Sequence, residues 1–105
     1  MSTNWLRTVI DETSSATSDG GNPILTISFE NLEERVYCPN PSEYNVDSDV
    51  VEKARELGAT IIAYSNTWSG ATVEAKIYGK RNGISVMRYA EFFAYLKRKG
   101  VSFAD

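Results

Sequence analysis

The chain has 105 residues, a formal net charge of −3, no histidine and one cysteine. That length supports one domain with a single core, and the composition excludes an intramolecular disulfide, a cysteine-cluster zinc site and any catalysis that needs an imidazole. No apolar run approaches the ~20 residues of a membrane span, and MSTNWLRTVIDE lacks the basic start and apolar block of a signal peptide, so the chain is read as cytoplasmic with no membrane partner.

In chain order, NWLRTVIDET places Trp5, Leu6, Val9 and Ile10 at helical spacing, which predicts a short N-terminal helix. SSATSDGGNP, residues 14–23, follows as a mobile loop by its Ser, Thr, Gly and Pro content. ILTISF and RVYC are rich in β-branched and aromatic residues and predict two strands, joined through ENLEE as a hairpin whose turn Asn31 supports. Pro39 and Pro41 stop the second strand, since neither has a backbone donor. VDSDVVEKARELG then predicts a helix capped by Asp47 or Ser48, with Val50, Val51, Ala54 and Leu57 on its inner side and Gly58 at its end. ATIIAYS has the near-continuous apolar pattern of a strand buried on both faces.

The unit then recurs. SNTWSGATVEAKIYGKRNG leads into ISVMRY, AEFFAYLKRKG closes the chain, and Gly58, Gly83 and Gly100 each follow a helical pattern. Strands separated by helices pair in parallel through right-handed crossovers. The expected fold is therefore α/β: a single small domain with a mixed sheet, an N-terminal β-hairpin followed by parallel β-α-β crossovers, in the order α-β-β-α-β-α-β-α.

Glu74 and Lys76 have the Glu-x-Lys spacing with which many metal-dependent nucleases present a carboxylate and a lysine from one strand. On a strand the two side chains would share a face, whereas on a helix they diverge by ~200°. Ser69 as an N-cap, the helical recurrence of Ala71, Ala75 and Tyr78, and Gly83 as a stop all predict a helix. The crossover between residues 60–65 and 84–89 also needs a dozen or more residues, which a helix fills. Glu74 and Lys76 are then not a catalytic pair.

Ala75, Tyr78, Gly83 and Ile84, within EAKIYGKRNGISVMRYAEFFAYL, stand in the form Ala-x-x-Tyr-Ala-x-x-x-Gly-Ile, with Gly79 in place of the second alanine. In this the run resembles the C-terminal part of Mrr-like restriction endonuclease domains, where such a helix is followed by a strand and a final amphipathic helix. Upstream, TSDGGNPILTISF resembles that family's entry into its metal-binding aspartate, and VYCPN sits where the family has a Gln/Glu-x-Lys strand. The resemblance implies a restriction-endonuclease-like fold over residues 1–105. It departs at the chemistry: Asn22 or Pro23 stands where the aspartate is expected, Tyr37, Cys38 and Pro39 where Gln/Glu-x-Lys is expected, and residues 1–52 hold no lysine. Hydrolysis of a phosphodiester by a metal-activated water needs carboxylates for the cation. Asp11, Glu12, Asp19, Glu30 and Glu34 are the carboxylates near those strands, with Asp19 and Glu34 the catalytic candidates. Mg²⁺ is a cofactor only if they act, and the expectation is a domain without nuclease activity and without a cofactor.

Charge is unevenly placed, with four Lys/Arg against eleven Asp/Glu in residues 1–66 and seven against three in residues 67–105. Lys76, Lys80, Arg81, Lys97, Arg98 and Lys99 on the last two helices, with Arg88 on the last strand, are candidates for nucleic-acid phosphate, and Trp68 or Tyr95 for stacking on a base. The plainer account is solvated faces, with Lys97 to Lys99 placed to suit the C-terminal end of a helix dipole. A different class of function is read from WSGATVE, which is similar to a segment of nucleoside 2-deoxyribosyltransferases. Ser69, Gly70 and Glu74 would there hold a nucleotide or nucleoside at a helix N-terminus. A protein–protein adaptor using the acidic half is the third reading. Nucleic acid and a protein are thus the two macromolecular partners considered.

Overall fold

The protein is described by a computed structural model over residues 3–21, 23–43, 45–65 and 70–104. The predicted N-terminal helix forms as α1 (Thr3–Thr13), burying Thr3, Leu6 and Ile10 while leaving Trp5 36% exposed. The hairpin forms as β2 (Ile24–Phe29) and β3 (Leu32–Tyr37), paired antiparallel from Ile24↔Tyr37 to Phe29↔Leu32. Its two-residue turn is Glu30–Asn31, and the positive φ, 53°, falls on Glu30 rather than on Asn31.

The described part of residues 14–23 does not form only the loop that their composition suggests. Thr17–Gly20 is a strand, β1, antiparallel to β2 in the register Thr17↔Ser28 to Gly20↔Leu25. Its side chains contribute little apolar surface, so side-chain patterning gives no signal. Backbone pairing supplies the strand, and Asp11 of α1 fixes its position by accepting from both the N–H and the hydroxyl of Ser18 (2.9 and 2.8 Å).

After β3 the chain passes the short β4 (Asn45–Val46) into α2 (Ser48–Glu56), capped by Asp47, whose carboxylate accepts from Val50 N–H at 3.1 Å. Val50, Val51 and Ala54 are buried, while Leu57 at the helix end is exposed, contrary to its expected inner position. Gly58 follows with φ +83°, a left-handed conformation that L side chains rarely adopt. Then come β5 (Ile61–Tyr64), the short β6 (Gly70–Ala71) paired with β4, α3 (Val73–Arg81), β7 (Ser85–Arg88) and α4 (Tyr89–Arg98).

The main sheet has the order β1-β2-β3-β5-β7, with β3, β5 and β7 parallel. Alternation along its strands builds two cores. Leu25, Ile27, Val36, Ile61 and Ala63 face one side, where α1 and α4 cover them with Leu6, Ile10, Phe92 and Leu96. Tyr37, Ile62 and Tyr64 face the other, where α2 and α3 cover them with Val50, Val51, Ala54 and Ala75. The protein is thus a three-layer α/β/α domain, the mixed α/β architecture expected, and β1 and β7 are the sheet's two edges. Among the described residues no helix is long and apolar enough to cross a membrane.

Candidate nucleic-acid interface

The Glu74–Lys76 question is settled by α3: both residues lie on a helix, both are exposed, and they diverge around its axis. The helix begins later than Ser69 would place it. Thr72 is the N-cap, accepting from Ala75 N–H at 3.0 Å, and Glu74 sits in the first turn. Gly70 is paired with Asn45 through β6. Ser69, Trp68 and Asn22 lie outside the described residues.

Asp19 and Glu34 are not brought together. The register Asp19↔Thr26↔Arg35 runs beside Ser18↔Ile27↔Glu34, so one carboxylate shares a face with Thr26 and the other shares the opposite face with Ile27. Glu34 is also engaged: Thr60 donates its hydroxyl to Oε1 at 2.8 Å, and the Tyr95 hydroxyl donates to Oε2. Among the described residues no three carboxylate or thiol groups gather as a cation would require. These residues do not fit the Mg²⁺ that the resemblance implies for active members, and no catalytic step is derived through it.

The six candidate cations divide between the two helical layers. Lys76, Lys80 and Arg81 belong to α3, and Lys97, Arg98 and Lys99 follow one another at the end of α4, on the other face of the sheet. Lys76 and Lys80 border a groove of about 420 Å³ with Gly83, Ile84, Ser85 and Val86.

At the α4 end the cations stand over aromatic rings. Lys97 Nζ is 5.8 Å from the centroid of Phe103, and Lys99 Nζ is 5.6 Å from that of Tyr95, both within cation–π range. The aromatics continue: Phe93 lies 5.4 Å from Phe103 and 6.2 Å from Trp5, and Trp5 lies 4.9 Å from the buried Tyr89. Phe93, Tyr95 and Phe103 are half-buried. Burial, reinforced by the bond to Glu34, pushes the Tyr95 hydroxyl up to about 12, so it stays a neutral donor at physiological pH.

Sequence reasoning named the cations of this surface and, of its aromatics, Tyr95, and missed Trp5, Phe93 and Phe103. Trp5 stands at helical spacing with Leu6, Val9 and Ile10, Phe93 lies within the helical pattern AEFFAYLKRKG, and Phe103 follows the last predicted element. The available signal was Trp5 beside Leu6 on a helix of which only one narrow face can be buried.

The carboxyl ends of the parallel strands hold a second set of polar side chains that the sequence did not reveal. Tyr37 donates its hydroxyl to Glu43 Oε1 at 2.6 Å, and Lys53 reaches Glu43 Oε2 at 3.2 Å. Burial disfavours the Glu43 carboxylate, but donation by Tyr37, Asn40 N–H and Lys53 outweighs it and lowers the pKa. Every member has its partner, so this cluster ties the loop after β3 to α2. Arg88 lies 5.2 Å from the Tyr64 ring and reaches the Ser65 carbonyl at 3.4 Å. Cys38, just after β3, is buried against Tyr89 and Thr3, and burial pushes its thiol up to about 11, so it is inert as a nucleophile.

No family model, curated protein or solved structure matches the chain.

Proposed function

We propose that this chain is a nucleic-acid-associated module of restriction-endonuclease-like fold that binds without cleaving, contacting phosphate through the end of α4. The observation that carries this is the placement of Lys97 and Lys99 over the rings of Phe103 and Tyr95, beside Arg98 and next to Phe93 and Trp5. Cations neutralise phosphates, and half-exposed rings accept an unstacked base. The combination favours single-stranded nucleic acid, because bases within a duplex are not free to stack on a side chain. Support for the fold comes from the matched helix: Ala75 and Gly79 are the buried pair of α3, Gly83 takes φ +76°, and Ile84 leads into β7 and α4. Support for the lack of cleavage comes from Asp19 and Glu34 facing opposite sides of the sheet.

The test is binding of a fluorescent 12-nucleotide single strand, read by anisotropy at 50 and 200 mM salt with Mg²⁺ present. Three phosphate contacts give a slope of log K against log[salt] of about −2, or roughly a 20-fold loss over that range. Lys97→Ala with Lys99→Ala should bring the slope to about −0.7, and the strand should remain intact. Salt-insensitive binding, no binding, or cleavage would each refute the reading.

A further inference from the structure

β7 is an edge strand, and among the described residues one of its outward N–H groups, that of Val86, has no partner. Ser85 donates its N–H to Thr60 O of the β5 side at 3.1 Å, and in a parallel ladder alternate residues face alternate neighbours. Ser85 and Met87 therefore bond toward β5, while Ile84, Val86 and Arg88 face outward. The Ile84 N–H is taken by Gly79 O at 2.8 Å, and the Arg88 N–H by the Glu91 carboxylate at 3.3 Å. Between them Val86 directs both its N–H and its C=O out of the sheet.

That opening borders the groove lined by Lys76, Lys80 and Ser85, and α3 beside it leaves Ile77 48% and Val73 69% exposed. A free backbone donor and acceptor beside apolar side chains is how a sheet edge receives an extended peptide as a further strand. We propose that an extended, acidic segment of a partner protein adds to β7 at Val86, with its carboxylates on Lys76 and Lys80.

Charge chooses this occupant over a second copy of the chain. The groove lining carries two cations and no acid, so pairing β7 with β7 of a second copy would oppose lysines to lysines. The other edge cannot serve as the added strand. On β1 the outward N–H groups of Ser18 and Gly20 are already capped, by Asp11 at 2.9 Å and by Asp19 at 2.8 Å. The site lies across the sheet from the α4 surface and does not rest on the nucleic-acid reading.

The experiment is an amide-resolved NMR titration of the whole chain with a blocked eight-residue peptide of alternating valine and glutamate, repeated with lysine for glutamate. The acidic peptide should shift the Val86 amide and slow its hydrogen exchange about tenfold at a free concentration about ten times the dissociation constant. The lysine peptide should do neither. Lys76→Glu with Lys80→Glu, both exposed, should abolish the effect. Val86→Pro removes only the outward N–H, the position in which an edge strand tolerates proline, and should abolish the peptide-induced shifts of the neighbouring Ser85 and Met87 amides, which report binding in that variant. Should the proline variant not fold, the charge-reversed variant decides. Equal binding of the two peptides, perturbation centred on Tyr95 and Phe103, protection of Val86 that grows with protein concentration alone, or displacement of the acidic peptide's signal by a DNA strand that itself occupies Val86 would each overturn the proposal.

Discussion

Replacing Gly79 by alanine should destabilise the protein, although the position is helical and the change is ordinarily favourable. Alanine in a helix interior gains about 1 kcal/mol over glycine. Here a Cβ on residue 79 would fall 2.7 Å from Ile84 O and 3.1 Å from Val86 Cγ2. The oxygen cannot swing away, because the Ile84 N–H is bonded to Gly79 O at 2.8 Å and the next residue is the first of β7. Relief requires α3 to withdraw from the sheet, and overpacking of that kind costs about 1–3 kcal/mol. The net expectation is a loss of about 1 kcal/mol, seen as a Tm lowered by roughly 4–8 °C in a domain of this size. Thermal and urea unfolding followed by far-ultraviolet circular dichroism would measure it. Gly21→Ala is the control, since its Cβ meets nothing within 4 Å, and it should stay within about 0.5 kcal/mol of the parent. Alanine is also the residue that the resembling family carries at this point of its helix. A Gly79→Ala protein as stable as the parent would mean that α3 does not approach β7 this closely, and the groove beside Val86 would lose its shape with it.

Three further outcomes follow from ionisation and hydrogen bonding. Cys38 ionises at about 11 in the fold against 9.0 ordinarily, so the unfolded chain loses its proton first and stability falls as pH rises from 9 to 11; two pH units correspond to on the order of 2–3 kcal/mol, and urea midpoints should fall less steeply over that range in Cys38→Ala. Glu52 is held down at about 2 against 4.5 ordinarily, first by Arg55 and then by the Tyr78 hydroxyl, so its stabilising tie between α2 and α3 is present above pH 4.5 and lost as pH falls toward 2. The urea midpoint should drop across that window by more in the parent than in Glu52→Gln. Thr60→Val removes the hydroxyl that donates to Glu34 and accepts from Arg35 N–H at 2.9 Å, and should cost about 1–2 kcal/mol in urea unfolding.

The second half of the fold was legible because its signals are redundant. In α2 an apolar period, a cap and a terminal glycine all agree, in α3 the period and the terminal glycine do, β5 is a near-continuous apolar run, and Gly58, Gly83 and Gly100 indeed take positive φ. The strand β1 was illegible for the opposite reason. TSDG has no apolar alternation, and what makes it a strand is the length of β2 beside it and the Asp11 bond, both tertiary facts. The cap of α3 moved from Ser69 to Thr72 because β4 pairs with β6 and holds Gly70–Ala71 extended, a contact between segments 25 residues apart. Of the site, the lysines could be named from composition and helix position. Their separation by the sheet, and the rings beneath two of them, depend on which face each helix covers.

That separation changes what the charge distribution can do. Along the chain acid precedes base, which suggests a molecule with one acidic and one basic side. In space each layer pairs one helix from each half: α1, ending in Asp11 and Glu12, shares a face with α4, and α2, with Asp49, Glu52 and Glu56, shares the other with α3. Tyr78 of α3 even donates directly to Glu52 of α2. A field built this way falls off quickly, because each helical layer carries both signs of charge and, at physiological salt, exposed charges farther apart than about one Debye length, ~8 Å, are largely screened. Long-range steering of a polyanion is therefore weak, and attraction must come from the few cations in direct contact. This is why the salt dependence expected at the α4 end corresponds to about three phosphates rather than to all six candidate cations. The groove at α3 is limited in the same way: two lysines and one backbone donor–acceptor pair suit a short acidic strand, held by register at Val86 more than by charge.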